Sequence, residues 1–210
     1  MSLMSLRFTN ELGLNSMENF LASTAYIDWE HPAVLRQAQL LAEGSQDAEE
    51  IASRCFHFVR DQIRHSWDYR QNPVTCKASE VLEHGTGYCY AKSHLLAALL
   101  RANQIPAGLC YQRLTVTEEP PYCLHGLNAV YLPVHGWYRI DARGNKSGVD
   151  AAFCPPVEQL AFAIVRDGEK DFEHIWDAPH PAVLKSLTSC ATVEQVIENL
   201  PDIVPGTELQ

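Results

Sequence analysis

The stretch 83–101, EHGTGYCYAKSHLLAALLR, constrains this chain more than any other. Its second half predicts a helix with almost no polar face. Ala91, Leu95, Leu96, Ala97, Ala98, Leu99, Leu100 and Ala102 surround the axis, so the helix is expected to be buried nearly all round. Such a helix sits at the centre of a fold and obliges the rest of the chain to supply layers around it. The first half is a turn, because Gly85 and Gly87 take up backbone conformations that a Cβ resists. Cys89 therefore stands where turn becomes helix, beside N–H groups that have no intrahelical partner. The helix dipole and the free donors favour a thiolate there, and the thiolate is the nucleophilic form of cysteine.

The layers are legible on both sides. Upstream, His31-Pro32 predicts a helix start, with an apolar stripe of Val34, Leu35, Ala38 and Leu41 running to Gly44. Asp47 with Glu50 is a capping-box signature, and Ile51, Cys55, Phe58, Val59 and Ile63 recur at helical spacing as far as His65. Residues 67–76 read as loop, Ser79 as the cap of one short turn over 80–83, and residues 7–30 as a partial helix. Asn103 is the expected left-handed cap of the apolar helix, with Pro106 as its stop. Beyond it the period changes. Residues 109–116, 125–132 and 137–141 partly alternate and are rich in β-branched and aromatic residues, which predicts antiparallel strands, the last two joined by a hairpin over 133–136. The last third offers a helix from 181 to about 187 and another capped by Thr192 with Gln195. The fold class is α+β: residues 1–78 form an N-terminal helical part, 79–150 the core, and 151–210 a C-terminal extension packed on it.

Composition narrows the function. A net charge of −10, five lysines and no basic run argue against nucleic acid as a partner. No apolar run approaches the roughly 18 residues of a membrane span, and no basic region precedes an apolar signal core, so a cytoplasmic setting is expected without membrane partners. Seven cysteines, an odd number without a tight pattern, are expected to be reduced thiols. With no Cys-x-x-Cys pair and no short His spacing, no metal or cofactor is expected.

A nucleophilic cysteine needs a base, and the base needs an orienting partner. His125 and Asp141, on neighbouring predicted strands, fit these roles, although a loop over 133–136 would set His125 opposite Gly144 and demand a shifted loop or a bulge. His65, His84, His94 and His174 remain alternative bases. Tyr88, Tyr90, Trp137 and Tyr138 are candidates for an acyl pocket, with core packing as their plainer role. Cys89 also has a plainer role as a small buried hydrophobe, and Asp141 as a strand-ending turn residue.

Three ordered blocks over residues 79–145 resemble the bacterial transglutaminase-like superfamily, which shares the papain-like cysteine-protease arrangement. They are Gly87-Tyr88-Cys89 with the helix running on to Gln104-Ile105-Pro106-Ala107; His125 with Val130-Tyr131-Leu132-Pro133; and Gly136-Trp137 with Asp141. The chain departs from the family at Leu127 and Ala129, where Trp and Glu are frequent, and after Asp141, where Pro-Thr is frequent. The resemblance implies a papain-like core with the Cys-bearing helix packed on an antiparallel sheet. It also implies Cys89 as nucleophile, His125 as general base and acid, and Asp141 as its orienting partner. The implied chemistry is acyl transfer through a thioester on a peptide, protein or small amide, with the Cys89 backbone N–H as the expected oxyanion donor; of the aromatic cluster, Tyr88 and Trp137 are the candidates for the oxyanion or substrate pocket. No Ca²⁺-loop pattern accompanies these blocks, which favours amide hydrolysis over protein crosslinking. The alternative is a non-catalytic module that binds a peptide or partner in the same groove.

Overall fold

Side-chain periodicity changes from about 3.6 residues to about 2 at Pro106, where the central helix gives way to the strands of the main sheet. The computed structural model describes residues 17–117 and 119–207. Helix α1 (Pro32–Ala42) begins with Pro32 in its first turn and His31 Nδ1 accepting the Ala33 N–H at 3.4 Å. Helix α2 (Ala48–Gln62) begins where Asp47 Oδ1 accepts the N–H groups of Glu49 and Glu50. Only half of the expected capping box forms, because the Glu50 carboxylate is taken by the Ser45 hydroxyl at 2.6 Å and by Arg54. This helix stops before His65, since Ile63 turns extended and leads into strand β1 (Arg64–His65).

Two segments are more helical than their sequence suggests. Helix α3 (Ser66–Tyr69) interrupts the expected loop, and helix α4 (Ala78–His84) exceeds a single turn. Ser79 does not cap α4. Lys77 holds that position, Glu80 accepts the N–H groups of Cys76 and Lys77, and Ser79 binds Asp28 through both N–H and hydroxyl. Gly85 ends α4 at φ +64°, the left-handed region where a side chain is strained, and strand β2 (Thr86–Gly87) then pairs in parallel with β1.

Helix α5 (Cys89–Ala102) is the core, with every residue from Cys89 to Arg101 buried. Its three basic side chains are buried with hydrogen-bond partners, as burial requires. Lys92 donates to the carbonyls of Ile63 and Arg60, and His94 Nδ1 pairs with the Cys76 carbonyl at 2.7 Å. Arg101 donates to the carbonyls of Ala22, Ala107 and Asp177. The left-handed residue after α5 is Gln104, at φ +60°, and not Asn103, whose side chain instead donates to the carbonyls of Ala38 and Leu99.

Strands β3 (Ala107–Thr115), β4 (Tyr122–Leu132) and β5 (Gly136–Ile140) run antiparallel. A small hairpin of β6 (Ala152–Cys154) and β7 (Val157–Gln159) follows, and β8 (Lys170–Asp171) completes a four-stranded sheet in the order β5-β4-β3-β8. Helices α6 (Pro181–Ser189) and α7 (Val193–Glu198) close the chain, the second capped by Thr192 as expected. Val183, Leu187, Val193, Val196 and Ile203 from this last third share one apolar core with Leu95, Leu96 and Leu99 of α5. The molecule is a mixed helix and sheet fold in which the Cys-bearing helix packs on the antiparallel sheet. Among the described residues no helix is long and apolar enough to cross a membrane. All seven cysteines are free.

Candidate active site

The β4–β5 register places the site. Leu132 pairs with Gly136, so the turn is three residues long, and the ladder ends at Asn128 with Ile140. Beyond that pair β5 leaves the sheet, which frees one edge of β4 at His125 and Gly126. Cys89, first residue of α5, comes up to this edge and its Sγ accepts the Gly126 N–H at 3.4 Å. Gly126 is required for the approach: a Cβ there would stand 2.9 Å from the Tyr90 ring and 3.1–3.2 Å from the Tyr90 backbone. Asp141, the first residue past the ladder, turns toward His125. The expected offset between the two is closed by the shorter turn and by this departure of β5, without a bulge.

His125 Nε2 lies 2.7 Å from Asp141 Oδ2, with both side chains buried. Asp141 Oδ2 also accepts the Ala161 N–H at 3.0 Å, and Oδ1 accepts the Arg143 N–H at 3.1 Å. Burial by itself would raise the Asp141 pKa, but the charge and hydrogen bond of His125, with these two N–H donors, hold it below its ordinary value. For His125, burial pulls downward and is overcome by the Asp141 charge and by interaction and hydrogen bonding with Asp141 and Cys89, which push the imidazole up to about 10. With Nε2 given to Asp141, Nδ1 is the ring nitrogen left for Cys89. The arrangement suits an imidazolium held by a carboxylate beside a cysteine sulfur, and such a group can donate a proton.

The other candidate histidines lie apart from this cluster, except His65, which is held neutral beside it. His84 is exposed at the end of α4, His94 is tied to the Cys76 carbonyl, and His174 packs against Trp176 with ring centroids 4.6 Å apart. His65 does line the same cavity as Cys89. Its Nδ1 is buried without a hydrogen-bond partner, 3.7 Å from Asp68, and burial followed by the Arg143 charge holds its pKa well below 6.5. Tyr88 also lines the cavity, with its hydroxyl given to the Val193 carbonyl at 2.6 Å.

Trp137 does not belong to the site, contrary to expectation. It pairs with Tyr131 and packs against Phe20 and Tyr131, with Cys110, Leu127 and Ala129 beside it, on a sheet face other than that met by α5. Leu127 and Ala129, the departures from the family pattern, fill that same cluster and not the cavity. Sequence reasoning missed the Gly126, Ala161 and Arg143 N–H groups and Phe162, whose ring stands against His125. Backbone donors are present in any residue and leave no sequence signal. Among the described residues no group of three or more His, Cys, Asp or Glu side chains is arranged to hold a metal.

Comparison with known proteins follows this geometry. No curated protein sequence matches the chain. Among solved structures, a proposed cysteine protease from Cytophaga hutchinsonii is similar at 18% identity and a TM-score of 0.47, over 63% of this chain and 43% of that one. The periplasmic domain of TgpA from Pseudomonas aeruginosa is similar at 16% identity and a TM-score of 0.48, over 63% of this chain and 48% of that one. The chain thus spans less than half of either protein. The model of the transglutaminase-like superfamily matches residues 36–142, just over half of the 210 residues and the part that carries Cys89, His125 and Asp141. The chain belongs to the transglutaminase-like superfamily.

Proposed function

We propose that the protein is a cysteine-dependent hydrolase of carboxamide or peptide bonds in which Cys89, His125 and Asp141 act as nucleophile, general acid and base, and orienting group. The observation that carries this reading is the buried 2.7 Å contact of His125 with Asp141, on the β4 edge where Cys89 accepts the Gly126 N–H. Cys89 Sγ attacks the carbonyl carbon and forms a C–S bond. The Cys89 backbone N–H, at the free first turn of α5, is the proposed donor to the oxyanion. As the C–N bond breaks, the His125 imidazolium gives its proton to the departing amine. The neutral imidazole then takes a proton from water, which attacks the thioester and releases the acid, and the thiolate–imidazolium pair is restored. Water is the proposed acceptor, since the sequence lacks the Ca²⁺-loop pattern associated with crosslinking relatives.

The test is turnover of a carboxamide and peptide library, followed by ammonia or amine release and by intact mass for an acyl-enzyme. Cys89→Ala is expected to abolish both signals. Turnover that persists in Cys89→Ala would overturn the assignment, and product formed only with an added amine would replace hydrolysis by transamidation.

A further inference from the structure

We infer that the cavity beside Cys89 selects acyl donors with a bulky apolar side chain next to the scissile carbonyl and rejects donors with a basic one. The inference rests on the cysteine-enzyme reading above and names the substrate class for that site. The cavity is about 530 Å³, within the roughly 300–1,000 Å³ of ligand pockets, and it contains both Cys89 and His125. Its body is apolar: Trp67, Leu114, Leu124, Phe162, Ile197 and Leu200 line it. The apolar surface continues to the rim, where Val116 and Val165 are 51% and 72% exposed.

The charges around the cavity point the same way. Glu169 is the carboxylate that lines it, and it is already saturated. One oxygen accepts the Thr115 N–H and hydroxyl at 3.1 and 2.7 Å, and the other accepts the N–H groups of Val165 and Arg166 at 3.1 and 3.0 Å. Asp68, near the mouth, is held by Arg143 and Lys146 at 2.7 Å each. Lys146 and Arg166 also line the cavity, the first paired with Asp68 and the second 3.9 Å from Glu169, and they remain 46% and 43% exposed, so each carboxylate near the cavity already has its cation. A substrate ammonium or guanidinium entering this space would lose water, meet like charge, and find no carboxylate with a free lone pair. An apolar side chain loses only water it does not need. Phe162, Val165, Ile197 and Leu200 lie outside the matched segment 36–142 and Trp67, Leu114 and Leu124 within it, so the wall is built jointly by the family core and the last third of the chain.

The test uses peptidyl chloromethyl ketones with one reactive group and Leu, Phe, Asp or Lys at the adjacent residue. Cys89 Sγ displaces chloride and keeps the peptide, so intact mass and peptide mapping give the rate of modification at Cys89. The Leu and Phe probes are expected to react at least about tenfold faster than the Lys probe, in line with the roughly 10–200-fold range of apolar pocket discrimination. V165E, which changes an exposed rim residue, is expected to narrow that gap by accepting the Lys probe. Equal rates for all four probes, or a faster Lys probe, would overturn the inference and leave Cys89 as nucleophile. Failure of every probe at Cys89 would overturn both the inference and the cysteine-enzyme reading.

Discussion

Phe162 stands edge-on to His125, with ring centroids 4.9 Å apart and planes at 89°. Its neighbour Ala161 donates to the Asp141 carboxylate, so one short segment both orients the carboxylate and shields the imidazole. Phe162→Ala is expected to admit water to the His125–Asp141 hydrogen bond, lowering kcat/KM roughly tenfold, with partial recovery in Phe162→Leu. The downfield proton resonance of His125 Nε2–H would broaden by solvent exchange in the Ala variant. An unchanged resonance would mean that the ring merely packs there.

Asp141→Asn keeps the shape but removes the charge. Burial then acts on the imidazole with only the interaction with Cys89 to oppose it, and the His125 pKa falls from about 10. The alkaline limb of the kcat/KM profile should move to lower pH, and kcat should drop on the order of 10²–10⁴-fold. A profile that keeps its alkaline limb would disprove the orienting role.

Gly126→Ala introduces a Cβ within 3.2 Å of the Tyr90 ring and backbone. Helix α5 must withdraw from β4, which lengthens the contact between Cys89 Sγ and the Gly126 N–H. The expected loss of stability is about 1–3 kcal/mol, the range for overpacking, with a fall in the rate of thiol alkylation at Cys89. Denaturant midpoints and peptide-mapped alkylation check both parts.

Two buried bases should give opposite pH dependence of stability. Burial, then the Arg143 charge, brings the Lys92 pKa down to about 7. Between there and the ordinary lysine value of about 10.4, the unfolded chain holds a proton that the folded chain lacks, so stability rises with pH. His125 runs the other way. Held up to about 10, it contributes stability that is fully present below about pH 6.5 and lost as pH rises through 10. Between about pH 7 and 8.5 these two slopes offset one another, and the buried thiols of Cys55, Cys76 and Cys110, held up to about 12, leave the parent a decline of about 1 kcal/mol as their unfolded counterparts begin to ionise. Relative to the parent, Lys92→Met should lose about 2 kcal/mol more across that window and His125→Ala should gain about as much, from about 1.4 kcal/mol per pH unit. Urea midpoints at the two ends decide it, and slopes of the same sign in both variants would refute it.

Burial pushes the thiols of Cys55, Cys76 and Cys110 up to about 12, so they should stay protonated and resist iodoacetamide at pH 8 in the native state. Cys154 is exposed and serves as the reactive reference. His125→Ala should slow labelling at Cys89 by about tenfold or more and leave Cys154 unchanged. Equal slowing at both would point to a global effect of the substitution.

Much of this fold was legible because local chemistry and tertiary context agree. The Gly85 turn, the apolar α5, the Asp47 and Thr192 caps and the strand periods all act over a few residues. The types and order of Cys89, His125 and Asp141 were legible for the same reason. Their register was not, since it depended on whether the hairpin turn holds three residues or four, and only the pairing of Leu132 with Gly136 decides that. Trp137 was named for its place in an aromatic cluster, and residue type alone does not say which face of a strand a ring occupies; its pairing with Tyr131 puts it beside Leu127 and Ala129. Helix α4 and Ser79 were misread because Asp28, far away in sequence, claims the Ser79 side chain. The contributions of Ala161 and Gly126 are backbone N–H groups, and no residue type announces them.

The hydrogen bond from Ala161 to Asp141 has a consequence for the order in which the chain acquires its chemistry. During synthesis, Cys89, His125 and Asp141 leave the ribosome well before residue 161 does. Until that later segment docks, the carboxylate lacks one of its donors, His125 lacks the Phe162 ring, and the cavity lacks Ile197 and Leu200. A nascent chain therefore carries its thiol in an unfinished setting until the final third has folded onto the core.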